Sequence, residues 1–278
     1  KVHSREFPVH SLKLSHSYDV DQIGQHYLFT NPDNIFLSLK RKENDKMTYR
    51  RLTRLDYTLE RAGGFSLQLG VKHEIQEPTR YLNFEDAYGH VFDNYTQAAF
   101  AIKLRYAPGE SFYQTRSSRV PINMDAPVFT LSHEYGPKGM LGSDFCTNKT
   151  EFSVQKRFWF SSFGYADVLV KAARIWSRVQ YPALAWVNSN LSYTIQPESF
   201  ALMNPMEFAT DSYVNWDLTY WGNGILFNRI PIIKYLRLRE VLTFKGVYGH
   251  LCSRNNPEFH NELFRFSFDT FTRPIGDT

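Results

Sequence analysis

Hydrophobic residues recur at every second position along most of this chain. Between Phe65 and Val71, the residues Phe65, Leu67, Leu69 and Val71 alternate with Ser66, Gln68 and Gly70. Just upstream, Leu55, Tyr57 and Leu59 alternate with Arg54, Asp56, Thr58 and Glu60, and Ala62-Gly63-Gly64 joins the two runs. Successive strand side chains point to opposite faces, so a period of two marks a strand with one apolar and one polar face. Gly-Gly supplies the positive φ that a tight hairpin turn demands. The same alternation runs through Leu12, Leu14, Tyr18 and Val20, through Phe100, Ile102, Leu104 and Tyr106, and through Val214, Trp216, Leu218 and Tyr220.

With the weaker runs added, the pattern predicts about twelve strands, near 11–20, 34–42, 47–60, 65–76, 96–106, 111–120, 127–135, 150–160, 165–176, 188–195, 212–221 and 238–249. No segment carries a convincing helical period. Strands in soluble sheets average about 5–6 residues, whereas strands crossing a bilayer need about 9–11. The predicted strands are of the longer kind. Aromatic residues gather at their ends, in Arg157-Phe158-Trp159-Phe160, Phe163-Gly164-Tyr165 and Tyr220-Trp221-Gly222, where interfacial girdles sit in membrane barrels. Connections alternate between short (62–64 and 107–110) and long (77–95 and 196–211). An open sheet this wide would also present unpaired edges, which closure removes. The expected fold is therefore an all-β, antiparallel transmembrane β-barrel. A soluble all-β protein of the periplasm, a binding protein or a hydrolase, is the alternative, because alternation alone serves both.

Composition narrows the picture. Hydrophobic residues make 42% of the 278, enough to exclude a disordered chain. Mean hydropathy is −0.42, and no apolar run approaches the ~18 residues of a membrane helix. That does not bear on a barrel, whose strands alternate lipid-facing and lumen-facing residues. The net charge of +4 is too mild and scattered to suggest a nucleic-acid partner. Cys146 and Cys252 stand far apart with no CxxC, which leaves two free thiols, the favoured reading, or a single bridge.

No catalytic motif emerges. Neither the nine histidines nor the carboxylates form H-E-x-x-H, and G-x-S-x-G and the phosphate-binding glycine patterns are missing. Asp211, Asp217, Glu198 and Glu207 gather around a long loop. They are read as solvated loop carboxylates or as partners of arginines on the polar face. No catalytic residue, cofactor or metal is expected.

Two segments stand out. The stretch from Glu198 to Phe208 holds Phe200, Leu202, Met203, Met206 and Phe208 with Asn204, Pro205 and Glu207. It is too apolar for a loop splayed in water, and is expected to fold into a barrel lumen, to pack on its neighbours at the rim, or to dock a partner. There Glu198, Asn204 and Glu207 would meet arginines such as Arg105 or Arg174. The second segment, Phe227-Asn228-Arg229-Ile230-Pro231-Ile232-Ile233-Lys234-Tyr235-Leu236, suits a membrane-interface turn, with Phe227 and Ile232 at hydrocarbon and Arg229 and Lys234 near lipid phosphates.

These segments carry a resemblance. The blocks Thr194–Phe208, Phe227–Val241, Lys156–Trp176 and Phe264–Pro274 are similar to a Bacteroidetes outer-membrane barrel family of unassigned function that bears an N-terminal carboxypeptidase-regulatory-like domain. More distantly, the order of inward loop, strand, turn and strand resembles the Omp85-type assembly barrels, although Asn204-Pro205-Met206-Glu207 replaces their inward-loop arginine motif. The resemblance implies a barrel of about sixteen strands in Gram-negative bacteria. Of these, this chain would hold about twelve, as one barrel domain over 1–278 incomplete at both ends. It implies a non-enzymatic protein of the cell outer membrane, an accessory of outer-membrane protein assembly or of a transport or secretion complex. Its partners would be outer-membrane lipid and lipopolysaccharide and other outer-membrane proteins. Loops 77–95, 196–211 and 250–275 would then face the cell exterior, and turns 62–64, 107–110 and 223–237 the periplasm.

Overall fold

The computed structural model of the chain describes residues 2–3, 7–24, 39–41, 45–114, 119–122, 125–194, 198–225, 227–266 and 273–274. Among them, nine long strands form one antiparallel sheet in chain order. They are β1 (Val9–Gln22), β2 (Met47–Glu60), β3 (Phe65–Glu77), β4 (Tyr95–Tyr106), β5 (Val128–Gly136), β6 (Thr147–Trp159), β7 (Tyr165–Ile175), β8 (Ser212–Trp221) and β9 (Val241–His250). The two-residue strand Val2–His3 extends the β1 edge. No hydrogen-bonded ladder joins β1 to β9 among the described residues.

The turns explain why the register holds. In the β2–β3 hairpin, Gly63 and Gly64 take φ of 90° and 82°, and the Arg61 amide donates to the Phe65 carbonyl at 2.9 Å. A side chain on Gly64 would collide with the Ala107 carbonyl, 2.0 Å from an ideal Cβ. The turn therefore needs glycine for both conformation and close approach.

Register carries the sequence alternation across the whole sheet. Leu12, Tyr57, Leu69, Ile102, His133 and Thr150 lie side by side on one face. Leu59, Leu67, Leu104, Leu131, Phe152, Ala172 and Val214 form the next row on that face. Leu218 belongs to the same face. Gln68, Lys103, Ser132, Glu151 and Tyr213 make a row on the opposite face, which Asp217 shares. The expected division between apolar and polar faces is thus observed. The exposed face is the apolar one: Leu12, Leu14, Leu69, Phe100, Ile102, Leu131, Phe152 and Phe244 are all exposed.

Because neighbouring strands are antiparallel and consecutive, the connections fall on two rims. The first rim carries 61–64, 107–127, 160–164 and 222–240. The second carries 23–46, 78–94, 137–146, 176–211 and 251 onward. The expected grouping of loops holds, with one change. Residues 107–110 do not complete a short turn; they begin a connection that runs to Val128 and contains a hairpin of Phe112–Gln114 and Arg119–Pro121. That hairpin stands where a full strand, 111–120, was expected. The expected strand 188–195 is irregular. Asn190 accepts the Ser192 amide at 2.8 Å and donates to the Thr194 carbonyl at 2.7 Å, so local side-chain bonds displace a ladder there. The expected strand at 34–42 lies outside the described residues except for Leu39–Arg41, where Lys40 bridges Ser192. The last strand begins at Val241 rather than at 238; residues 238–240 lead from the 3-10 turn at Ile233–Leu236 to the strand without joining the ladder.

Candidate functional site

The polar face of the sheet carries many ion pairs. Arg50 bonds Asp21 and Glu74, each at 2.8 Å. Lys72 lies 3.8 Å from Glu74 and 2.7 Å from Glu134. Lys149 meets Glu151 at 3.4 Å, Arg54 meets Asp56 at 2.8 Å, and Lys245 meets Asp217 at 2.9 Å. Across strands these pairs link β1, β2, β3 and β5, with a further pair between β8 and β9, while Arg54–Asp56 and Lys149–Glu151 each lie within one strand. A buried charge is costly unless paired, so a face this charged tolerates burial because most of its charges have a partner of opposite sign, within a strand or across two.

The hydrophobic core lies beyond the second rim, in the loops. Leu82, Phe84, Val179, Tyr181, Leu184, Trp186, Met206, Leu251 and Phe264 come together with the strand-end residues Tyr95 and Ile175. Phe84 stacks on Phe264 with ring centroids 5.3 Å apart. Polar side chains tie these loops together: Gln180 accepts the Phe264 amide at 2.6 Å, and Tyr181 donates its hydroxyl to the Asn83 carbonyl at 3.2 Å. The buried Asp211 carboxylate accepts from the Asn255 side chain at 3.0 Å and the Cys252 amide at 3.2 Å. Burial and the nearby Asp211 carboxylate raise the Cys252 thiol above its ordinary pKa, and burial raises the Tyr181 phenol. Neither is activated as a nucleophile or base. Among the described residues, no three His, Cys, Asp or Glu side chains converge as a metal site.

From this cap one loop descends onto the polar face. Glu198 forms an ion pair with Lys171 of β7, and both side chains are buried, 2% and 4% exposed. Lys245 of β9 donates to the Ser199 carbonyl at 3.3 Å. On the other side of the molecule, Gln22 at the end of β1 donates to Ser189 at 3.3 Å, and Ser189 bridges Phe200. One short patch of loop therefore touches both β1 and β9. In a flat sheet, eight strand spacings of about 4.8 Å would hold these strands about 38 Å apart. The sheet must curl around its polar face for one loop to reach both. A cavity of about 270 Å³ lies inside the curl, lined by Asp21, Arg50 and Glu74 from the first strands, Tyr213 and Val247 from the last two, and Trp186 from the cap.

The expected lumen-loop residues divide. Glu198 and Met206 are buried, Phe200, Met203 and Phe208 are half-buried, and Asn204 is exposed. Leu202, expected to be buried, is 98% exposed; it occupies the tip of a turn whose neighbours pack inward without it. The expected arginine partners are not used. Arg105 is bound to Glu110 at 2.6 Å, Arg174 lies over the Trp176 ring at 4.4 Å, and Glu207 accepts from the Asn204 amide at 2.8 Å within its own turn. The partner of Glu198 is instead a lysine, Lys171. Its signal in the sequence was a lone cation in the apolar run Val168–Ala173, with Lys245 playing the same part in β9.

At the first rim, Tyr165 stacks with Trp221 at 6.1 Å, Trp159 lies 4.9 Å from Tyr165, and the Arg157 guanidinium sits 4.1 Å above the Tyr165 ring. Beside this aromatic cluster project Phe227, Arg229, Ile232 and Lys234, on two 3-10 turns at Phe227–Arg229 and Ile233–Leu236.

Residues 5–253 match the model described as the family of unknown function (DUF5686) C-terminal domain. No curated protein and no solved structure matches the chain.

Proposed function

The chain belongs to that family, and we propose that it is a transmembrane β-barrel of the outer membrane of a Gram-negative bacterium. The observation that supports this reading most is the inversion of the faces. The apolar rows of nine adjacent strands are exposed, while the face around which the sheet curls is charged, paired and covered by loops. In water such an arrangement leaves a wide apolar surface bare and buries the charges, the reverse of what solvent favours. In a bilayer the same arrangement suits both solvents. The aromatic cluster at the first rim fits an interfacial girdle. In hydrocarbon the edges of β1 and β9 would have to be paired, so the barrel closes through additional strands.

The role we propose is non-enzymatic. A lumen crossed by matched ion pairs and capped by a packed loop core fits an accessory of outer-membrane protein assembly, or of a transport or secretion complex, better than a freely open pore. Its partners in this reading are outer-membrane lipid, lipopolysaccharide and other outer-membrane proteins. Purification tests the membrane reading directly. The protein should need detergent and should migrate differently on gels before and after heating. A chain that stays monodisperse in plain buffer would be a soluble β-protein, and the proposal would fail.

A further inference from the structure

The turn between β8 and β9 is not needed to close the sheet or to cap it. The turn projects from the first rim, and five of its apolar side chains are exposed. Ile232 is 81% exposed and Tyr235 85%, with Leu236, Leu238 and Ile230 also exposed. Part of its backbone is bonded within the turn. The Asn228 amide donates to the Gly224 carbonyl at 3.0 Å, Lys234 to Ile230 at 2.9 Å, and Tyr235 to Ile232 at 3.3 Å. A turn with internally bonded backbone and outward apolar side chains can enter a lipid interface without stranding its peptide groups.

Its charge points the same way. Arg229, Lys234, Arg237 and Arg239 are all exposed, and no acidic residue lies between Asp217 and Glu240. Among the described residues none of the four has an ion-pair partner, unlike most cations of the polar face. Four free cations around an apolar tip, on the rim that carries Trp159, Tyr165 and Trp221, match a surface of anionic headgroups above hydrocarbon.

We propose that this turn docks anionic phospholipid headgroups, with Ile232, Tyr235 and Leu236 in the acyl boundary and Arg229, Lys234, Arg237 and Arg239 on the phosphates. This rests on the membrane reading, and the test separates the two. In a C146S/C252S background, a fluorophore is placed by Ile232→Cys or by Ile102→Cys. The protein is then reconstituted in mixed phosphatidylcholine and phosphatidylglycerol vesicles in which one lipid at a time carries a brominated, quenching chain. Position 102 should be quenched equally by either lipid. Position 232 should be quenched more by brominated phosphatidylglycerol, and that preference should fall about fivefold for each cation replaced by glutamine and fade at high salt. Quenching at 102 with none at 232 overturns the proposal and leaves the barrel standing. Quenching at 232 without preference for the anionic lipid overturns the headgroup assignment. Absence of quenching at both positions overturns the membrane reading and this inference together.

Discussion

Leu69→Arg is the perturbation that separates lipid from water most sharply. Leu69 lies on the exposed face, flanked by Tyr57 and Ile102 in register, and is 44% exposed. Phe65 marks the first rim on the same strand, four residues away. At about 3.3 Å per residue that is about 13 Å along the strand, or about 10 Å of depth for a tilt near 40°. The apolar band of a barrel is about 25 Å tall, so Leu69 sits close to its middle. There an arginine costs about 2–4 kcal/mol, which shifts the folding equilibrium by a factor of about 30 to 900. On a water-exposed sheet the same change would stay within about 0.5 kcal/mol. Gln68→Arg, one residue away on the polar face, is the control and should cost less than about 1 kcal/mol. The assay is urea titration of the reconstituted protein, read by the heat-modifiable gel band. Equal tolerance at 68 and 69 would mean that the exposed face is not in hydrocarbon.

Other consequences follow from the same geometry. Lys171→Met leaves the Glu198 carboxylate buried without its partner and should cost about 3–5 kcal/mol, while Lys171→Met with Glu198→Leu should recover most of it; thermal melting in detergent measures both. Deleting 198–207 should raise single-channel conductance in planar bilayers if the loop plugs the lumen, or abolish co-purification of a neighbour if it docks one; no change in either would refute a role for this loop. Tyr88→Cys, on an exposed loop of the second rim, should react with an impermeant thiol reagent on intact cells, and reaction only after outer-membrane disruption would invert the orientation. Burial of Asp86 opposes its ionisation, but hydrogen bonds from the His90 and Tyr88 amides and the His90 ring outweigh this and lower its pKa. A depressed carboxylate stabilises the fold above its unfolded pKa, so protection of the 84–92 loop against proteolysis should be full at neutral pH. It should fall as the pH drops below the ordinary aspartate value of about 3.9, and an Asp86→Asn variant should lack that acid step.

The long strands were legible because period two is a local signal that register merely copies across the sheet. Phe65–Val71 and Leu55–Glu60 show it, joined by a Gly63-Gly64 turn whose geometry only glycine meets. The cap was not legible. Its core joins Phe84, Tyr181, Met206 and Phe264, four positions from three separate connections with no common period. Lys171 and Glu198 could be suspected singly, but their pairing depends on how a loop falls after the sheet has curled. Leu202 misled because apolar composition of a segment does not say which member faces out. Asn190 and Ser192 misled in the opposite sense, since a stretch with strand-like neighbours spends its polar groups on its own backbone.

The position of the core is itself informative. A soluble sheet places its large apolar side chains between layers, so stability and the sheet's apolar face are the same thing. Here the two are separated. The strands contribute exposed apolar rows and a charged face, while the buried aromatic core belongs to 78–94, 176–211 and 251–266. If lipid takes over the strand face, only the water-facing loops remain free to gain from burying apolar surface, and a packed cap is where that gain must appear. The cap then has a consequence for the lumen. Its loops share a core, and Glu198 meets Lys171 from within that cap. In the barrel reading, opening the lumen would mean lifting that shared core.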